Sequence, residues 1–170
     1  MECKRLNLDI CWDAVRTKSG TPYQFPQAQR TLSEEKYAVP VVYRWLVAKA
    51  GAEPIVCHIG ETDNLHRRVG NYLHAHTSQG QVFRVAVRLR KEVSNGAIVE
   101  LQVLQFETFF INSEYVEASG LGDSARRKLV ENIAIILHDA AQCELLNEDM
   151  SRMGRRIKKA RSVNGIISES

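Results

Sequence analysis

Apolar positions along this chain follow two rhythms, and the change from one to the other outlines its central unit. In VVYRWLV, residues 41–47, they alternate: Val41, Tyr43, Trp45 and Val47 fall on one side and Val42, Arg44 and Leu46 on the other. A period of two in β-branched and aromatic residues predicts a strand. The stretch Ala-Gly-Ala-Glu-Pro predicts a turn, and PIVCHIG a return strand ending at Gly60. A connection this short makes the pair an antiparallel hairpin. The rhythm then lengthens. In DNLHRRVGNYLHAH, Leu65, Val69 and Leu73 recur at four-residue spacing, which predicts a helix with those side chains toward the core. Thr62 or Asp63 is the expected N-cap. Arg68 and Tyr72, also four apart, share a neighbouring stripe. Gly70 costs this helix about 1 kcal/mol relative to alanine, which points to the close approach of another backbone.

Downstream, VFRVAVRLRK alternates again, with Phe83, Val85, Val87 and Leu89 opposite Arg84, Arg88 and Arg90, and reads as a half-buried strand with a basic outer face. Asn95-Gly96 is a turn signal. Val99, Leu101 and Val103 alternate with Glu100 and Gln102 in a further strand over 97–112, whose second half also fits a helix. SARRKLVENIAIILHDAAQ predicts a helix capped by Asp123 or Ser124, with Leu129, Ile133, Ile136 and Leu137 as its apolar face and Glu131 just beside it. Before all of these, LNLDICWDAVRTK reads as a short strand running into a helix that turns Leu8, Trp12 and Val15 inward. SGTPYQFP breaks regular structure, and QAQRTLSEEKY forms another helical turn. The expected fold is α+β: a small, mainly antiparallel β-sheet flanked by helices. Residues 1–37 form an N-terminal extension packed on the core, 38–148 the main domain, and 149–170 a basic C-terminal tail.

Composition narrows the picture a little. With 44% hydrophobic and 25% charged residues, the 170-residue chain has the balance of an ordinary globular domain. A net charge of +3 permits a nucleic-acid partner without requiring one. No apolar run reaches membrane-spanning length, and MECKRLNLDICWDAV lacks the apolar core of a signal peptide, so a cytoplasmic protein is expected. Cys3, Cys11, Cys57 and Cys143 form no CxxC pair and read as reduced, mostly buried thiols. His66, His74 and His76 lack a cysteine or carboxylate at a spacing that would complete a zinc site.

The central unit resembles the GIY-YIG nuclease domain, a family named for two triplets on adjacent strands. Val41-Val42-Tyr43 matches the first triplet and His58-Ile59-Gly60 the second. Arg68 lies ten residues beyond His58, the family's distance to its arginine, and Tyr72 falls where members carry His or Tyr. RRKLVENIAIILHDAAQCELLN resembles the helix bearing the family's metal-binding glutamate, here Glu131, and Asn147 matches the closing asparagine. Four departures stand out. Val replaces the first glycine, the hairpin between the triplets is longer than the family minimum, the strand-rich stretch 97–112 looks like an insertion, and His58 replaces the tyrosine of the second triplet. The resemblance implies Mg2+, or another divalent cation such as Mn2+, held by Glu131. It implies Arg68 on phosphate and Tyr43 as general base, its pKa lowered by the metal and the arginine. Tyr72 and His58 would support the water or that base, and Asn147 would brace the site.

Such an enzyme is an endonuclease hydrolysing DNA, with RNA as the alternative substrate. Arg67, Arg84, Arg88, Arg155 and Arg156 are candidate phosphate contacts. Taken singly, each site residue has a plainer explanation: Tyr43 a core tyrosine, His58 a satisfied core histidine, Arg68 a solvated helix charge, Glu131 a helix-surface charge. Their order and spacing favour chemistry. Two other functions compete: a catalytically silent nucleic-acid-binding module on the same fold, motivated by His58, and a structural or protein-interaction domain. Neither oligomeric state nor base specificity is written in these patterns.

Overall fold

The computed structural model describes residues 6–75, 80–111, 114–115 and 118–139. The fold is α+β, built on one antiparallel sheet. Strands β1 (Leu6–Ala14), β2 (Val41–Ala48), β3 (Ile55–Thr62) and β4 (Ile98–Ile111) lie in the order β1-β4-β2-β3, and a short β5 (Glu114–Tyr115) pairs with the end of β4. The hairpin β2–β3 forms as the alternation predicts, with Tyr43 opposite Gly60 and Trp45 opposite His58. β3 runs two residues past the expected end, to Thr62. The 97–112 stretch supplies β4, which lies between β1 and β2, so it is part of the sheet's centre rather than an addition to its edge.

Alternation in β2 divides the core in two. Tyr43, Trp45 and Val47 join Val99, Leu101 and Val103 of β4 under one layer of helices. Val42 faces the opposite side with Ile59, Leu104 and the helix α4 (Ser124–Asp139). Arg44 shares that second face: its guanidinium stacks 4.5 Å from the Trp12 ring and its Nε donates to Gln102 Oε1. The first layer contains α2 (Leu65–Leu73) and α3 (Gln81–Ser94). Leu65 and Val69 are fully buried there, as their spacing predicts.

Several expectations are corrected. Residues 81–94 form helix α3, not a strand. The alternation of Phe83, Val85, Val87 and Leu89 competes with a second pattern, Val82, Val85, Ala86, Leu89 and Val93, which fits the helical period. The helix wins because Val85, Ala86 and Leu89 can bury together on the sheet while Val87 faces water. Arg88 and Glu92 also pair one turn apart. Asn95-Gly96 accordingly ends a helix. Gly96 has φ +81°, its N–H reaches Val93 O, and Ala97 N–H reaches Glu92 O, the Schellman arrangement.

The α2 N-cap is Asn64, whose side chain accepts from Arg67 N, and not Thr62 or Asp63. Thr62 Oγ1 instead accepts from Asn64 N, just before the cap. In α4 the buried face is Val130, Ala134 and Ile135, whereas Leu129, Ile136 and Leu137 are exposed. Apolar residues run unbroken from Ile133 to Leu137, more than a full turn, so the sequence pattern alone does not choose a face. Asp123 caps α4, accepting from Ala125 N and Arg126 N.

The N-terminal part is corrected too. Residues 6–14 form one continuous strand with no helix following Trp12, because β1 finds a full-length partner in β4. Val15, Tyr23, Phe25, Leu32 and Tyr37 then fill the core beside Trp45. A 3-10 turn (Gln29–Thr31) and α1 (Glu34–Tyr37) supply the helical turns expected there. Cys11, expected to be buried, is half-buried and free.

Candidate active site

The site lies beside the outermost strand, β3, where α2 and α4 close in from opposite faces of the sheet. Tyr43 and His58 project from β2 and β3 on the same face, because Trp45 pairs with His58 and Tyr43 with Gly60. Tyr72 comes down from α2. The three rings meet edge-on, with centroids 6.0 Å apart for Tyr43 and His58, 6.4 Å for Tyr43 and Tyr72, and 6.5 Å for His58 and Tyr72. The hydroxyls of Tyr43 and Tyr72 are 2.8 Å apart in a hydrogen bond that either can donate. Gly60 makes this cluster possible. A Cβ there would lie 2.7 Å from Tyr43 Oη and 2.8 Å from His58 Nε2, closer than packed atoms approach.

Arg68 sits one turn before Tyr72 on α2. Its Nε is buried without a hydrogen-bond partner, and among the described residues its guanidinium makes no ion pair. Other arginines nearby are committed. Arg67 pairs with Asp63, Arg88 with Glu92, Arg127 with Glu61, and Arg90 donates to the carbonyls of Tyr72 and Leu73 at the end of α2. An unpaired guanidinium at a polar opening suits a planar oxyanion such as phosphate.

Glu131 reaches the same opening from α4 and is only 5% exposed. One turn earlier, Arg127 ties α4 to β3. Its Nε donates to Glu61 Oε2 at 2.9 Å, and its Nη1 donates to the carbonyls of Leu121 and Gly122. This anchor fixes where Glu131 emerges. Lys128 forms an ion pair with Glu131 Oε2. Burial raises the Glu131 pKa against the downward pull of Lys128, and the nearby Glu61 charge pushes it further up.

Tyr43, His58, Arg68, Tyr72 and Glu131 thus line one cleft of about 110 Å³, together with Gly60, Glu61 and Lys128. A cavity of that size takes a phosphate group and a few waters, well below the volume of a typical small-molecule site. Arginine, carboxylate, imidazole and phenol facing one polar cavity are a set able to bind an anion, hold a cation and move a proton.

The protein's own groups raise the Tyr43 pKa well above 10, and the expected lowering calls on the metal's field as well as Arg68. Burial is the largest cause and the neighbouring Tyr72 adds to it, and together they outweigh the downward pull of Arg68. Tyr43 is therefore a protonated phenol at neutral pH.

Asn147, Arg155 and Arg156 lie outside the described residues, as does His76. Arg67 and Arg84 are exposed, whereas Arg88 is turned toward Glu92. His66 faces Gln29, and His74 caps the end of α2. The sequence patterns pass over Gly60, Glu61, Arg127 and Lys128 as members of the site. Arg127 and Lys128 stand four and three residues before Glu131, so helical spacing is the signal that points to them.

Among the described residues, no three His, Cys, Asp or Glu side chains come together as a metal cage. A single carboxylate on a polar cleft still fits a hydrated Mg2+, which keeps most of its waters. Glu131 meets that need, since the partner on its Oε2 is the ammonium of Lys128, which is mostly exposed. No helix among the described residues is long and apolar enough to cross a membrane. Compared with known proteins, the chain matches no protein-family model, no curated protein and no solved structure.

Proposed function

We propose that this chain is a divalent-metal-assisted endonuclease of the GIY-YIG kind, hydrolysing phosphodiester bonds in DNA. The observation that carries the reading is the gathering of Tyr43, His58, Arg68, Tyr72 and Glu131, from two strands and two helices, around one phosphate-sized cleft. Arg68 binds the phosphate oxygens and offsets the charge that builds on them. A Mg2+ ion held by Glu131 would supply further positive charge against the phosphate and the leaving oxygen. Tyr43 acts on the attacking water as part of a cluster. As a protonated phenol it takes a proton only while passing its own to a neighbour. Tyr72 is hydrogen-bonded to it, and His58 faces the same point above Gly60. Imidazole carries a basic ring nitrogen that the two phenols lack, so His58 is the proposed recipient.

A second reading, a nucleic-acid-binding module that does not cut, draws on His58 in place of the family's tyrosine. Incubation of supercoiled plasmid with the full chain and Mg2+ separates the two. The nuclease reading expects metal-dependent nicking that is lost in Glu131→Gln and Arg68→Ala, with circular dichroism showing that both variants are folded. Plasmid binding without nicking in all three proteins supports the second reading. Nicking that survives both substitutions overturns the site.

A further inference from the structure

We propose that Lys128 is a tethered counter-ion that occupies Glu131 until a divalent cation displaces it, so that the site takes up metal by exchange against its own helix. This rests on Glu131 being the metal ligand, as proposed above.

The two carboxylates of the cleft are neutralised in different ways. Glu61 is paired with Arg127, whose side chain is 8% exposed and further held by two backbone carbonyls. That cation is part of the packing and cannot leave. Glu131 is paired with Lys128, three residues earlier on α4, and the contrast within this pair is large. The Glu131 side chain is 7% exposed and that of Lys128 60%. Among the described residues Lys128 has no contact besides Glu131 that would hold its ammonium in the cleft. A lysine on a flexible stem gives up such a partner at little cost, because its ammonium returns to water. A buried carboxylate does need a positive charge, and Lys128 supplies one while the metal is absent. Both cations seek the same oxygen, Oε2, which the Lys128 ammonium holds. Contact competition of this kind weakens metal binding while leaving the ligand's own chemistry unchanged.

The test is a Mn2+ titration of the full chain without nucleic acid, reading free Mn2+ by electron paramagnetic resonance at pH about 8, above the carboxylate range. Lys128→Met is expected to bind Mn2+ about two- to fivefold more tightly than wild type, the size of effect that a partly exposed ion pair carries. Lys128→Arg keeps the competing charge and should stay near wild type. Arg126→Met removes an equal charge from an exposed position two residues earlier, where solvent screens it, and should change affinity less than about twofold. Glu131→Gln should abolish the binding. If Lys128→Met and wild type bind Mn2+ equally, and Glu131→Gln still abolishes binding, the exchange is overturned while the metal site stands. If Lys128→Met and Arg126→Met tighten binding alike, the effect is general charge and the exchange is also overturned. If no Mn2+ binding depends on Glu131, the metal site falls and the exchange with it. Thermal unfolding of each variant shows whether the fold is intact.

Discussion

The hydroxyls of Tyr43 and Tyr72 lie 2.8 Å apart in the core although the residues are 29 positions apart, one on β2 and one on α2. Each side chain is almost completely buried. The bond locks β2 to the helix that carries Arg68. Tyr43→Phe is expected to cost about 1–2 kcal/mol, because it takes this partner from a buried hydroxyl. Tyr72→Phe should cost a similar amount, and the double variant less than the sum. Denaturant unfolding measures all three. Plasmid nicking should fall by about a hundredfold or more in Tyr43→Phe, the usual scale for losing a proton-transfer group.

Alkaline pH provides a check on Tyr43 itself. Burial holds its pKa well above 10, so the folded protein keeps the proton while the unfolded chain releases it. The stabilisation is fully present below about pH 10 and is lost progressively as pH rises beyond that. Ultraviolet difference spectra should show Tyr43 ionising only with unfolding, and Tyr43→Phe should flatten the fall in stability.

Gly60 is expected to tolerate no side chain. A Cβ would meet Tyr43 Oη at 2.7 Å and His58 Nε2 at 2.8 Å, and both groups are buried. Gly60→Ala should destabilise by about 1–3 kcal/mol through overpacking. Its effect on nicking should exceed its effect on stability if the two displaced groups handle the proton as proposed. A variant with wild-type nicking would remove Tyr43 and His58 from the chemistry.

Gln29 lies across α2 at Gly70. Its Nε2 donates to His66 O at 2.6 Å, and a Cβ on residue 70 would sit 2.7 Å from its Oε1. What approaches Gly70 is thus a side chain of the N-terminal segment, not a backbone. Gly70→Ala should be destabilising in the wild type. In the Gln29→Ala background the sign should reverse, toward the gain of about 1 kcal/mol that alanine gives a helix over glycine. A thermal-melt double-mutant cycle measures the coupling. Equal effects in the two backgrounds would show that Gln29 does not crowd this helix.

Acid should weaken the protein partly through Glu92. Its hydrogen bond with Lys49 holds the pKa below the ordinary 4.5, burial opposes, and Arg88 adds to the lowering. A lowered folded-state pKa means the stabilisation is present above about pH 4.5 and is lost as pH falls through the folded value. Glu92→Gln should cost about 1–2 kcal/mol at neutral pH, a modest figure because Lys49 and Arg88 are both partly exposed and rehydrate. It should also make stability less steep between neutral pH and pH about 3, as urea titrations would record.

Alternation and helical spacing determined the β2–β3 hairpin, the α2 core face and the two-sided character of β2, because neighbours along the chain settle those features. The same spacing set Tyr43, His58, Arg68 and Tyr72 in one compact unit. Period alone did not decide α3. Its short apolar run satisfies both the strand and the helix pattern, and only the burial of Ala86 between Val85 and Leu89 separates them. It did not decide the buried face of α4 either, since the unbroken apolar run 133–137 covers more than a turn and the sheet selects Val130, Ala134 and Ile135. Tertiary structure alone closed the site. Glu131 joins the cluster because Arg127 fastens α4 to Glu61 on β3, a contact across 66 positions. The protonation of Tyr43 was likewise beyond the sequence, because it depends on how completely the fold removes a phenol from water, and no pattern along a chain measures that.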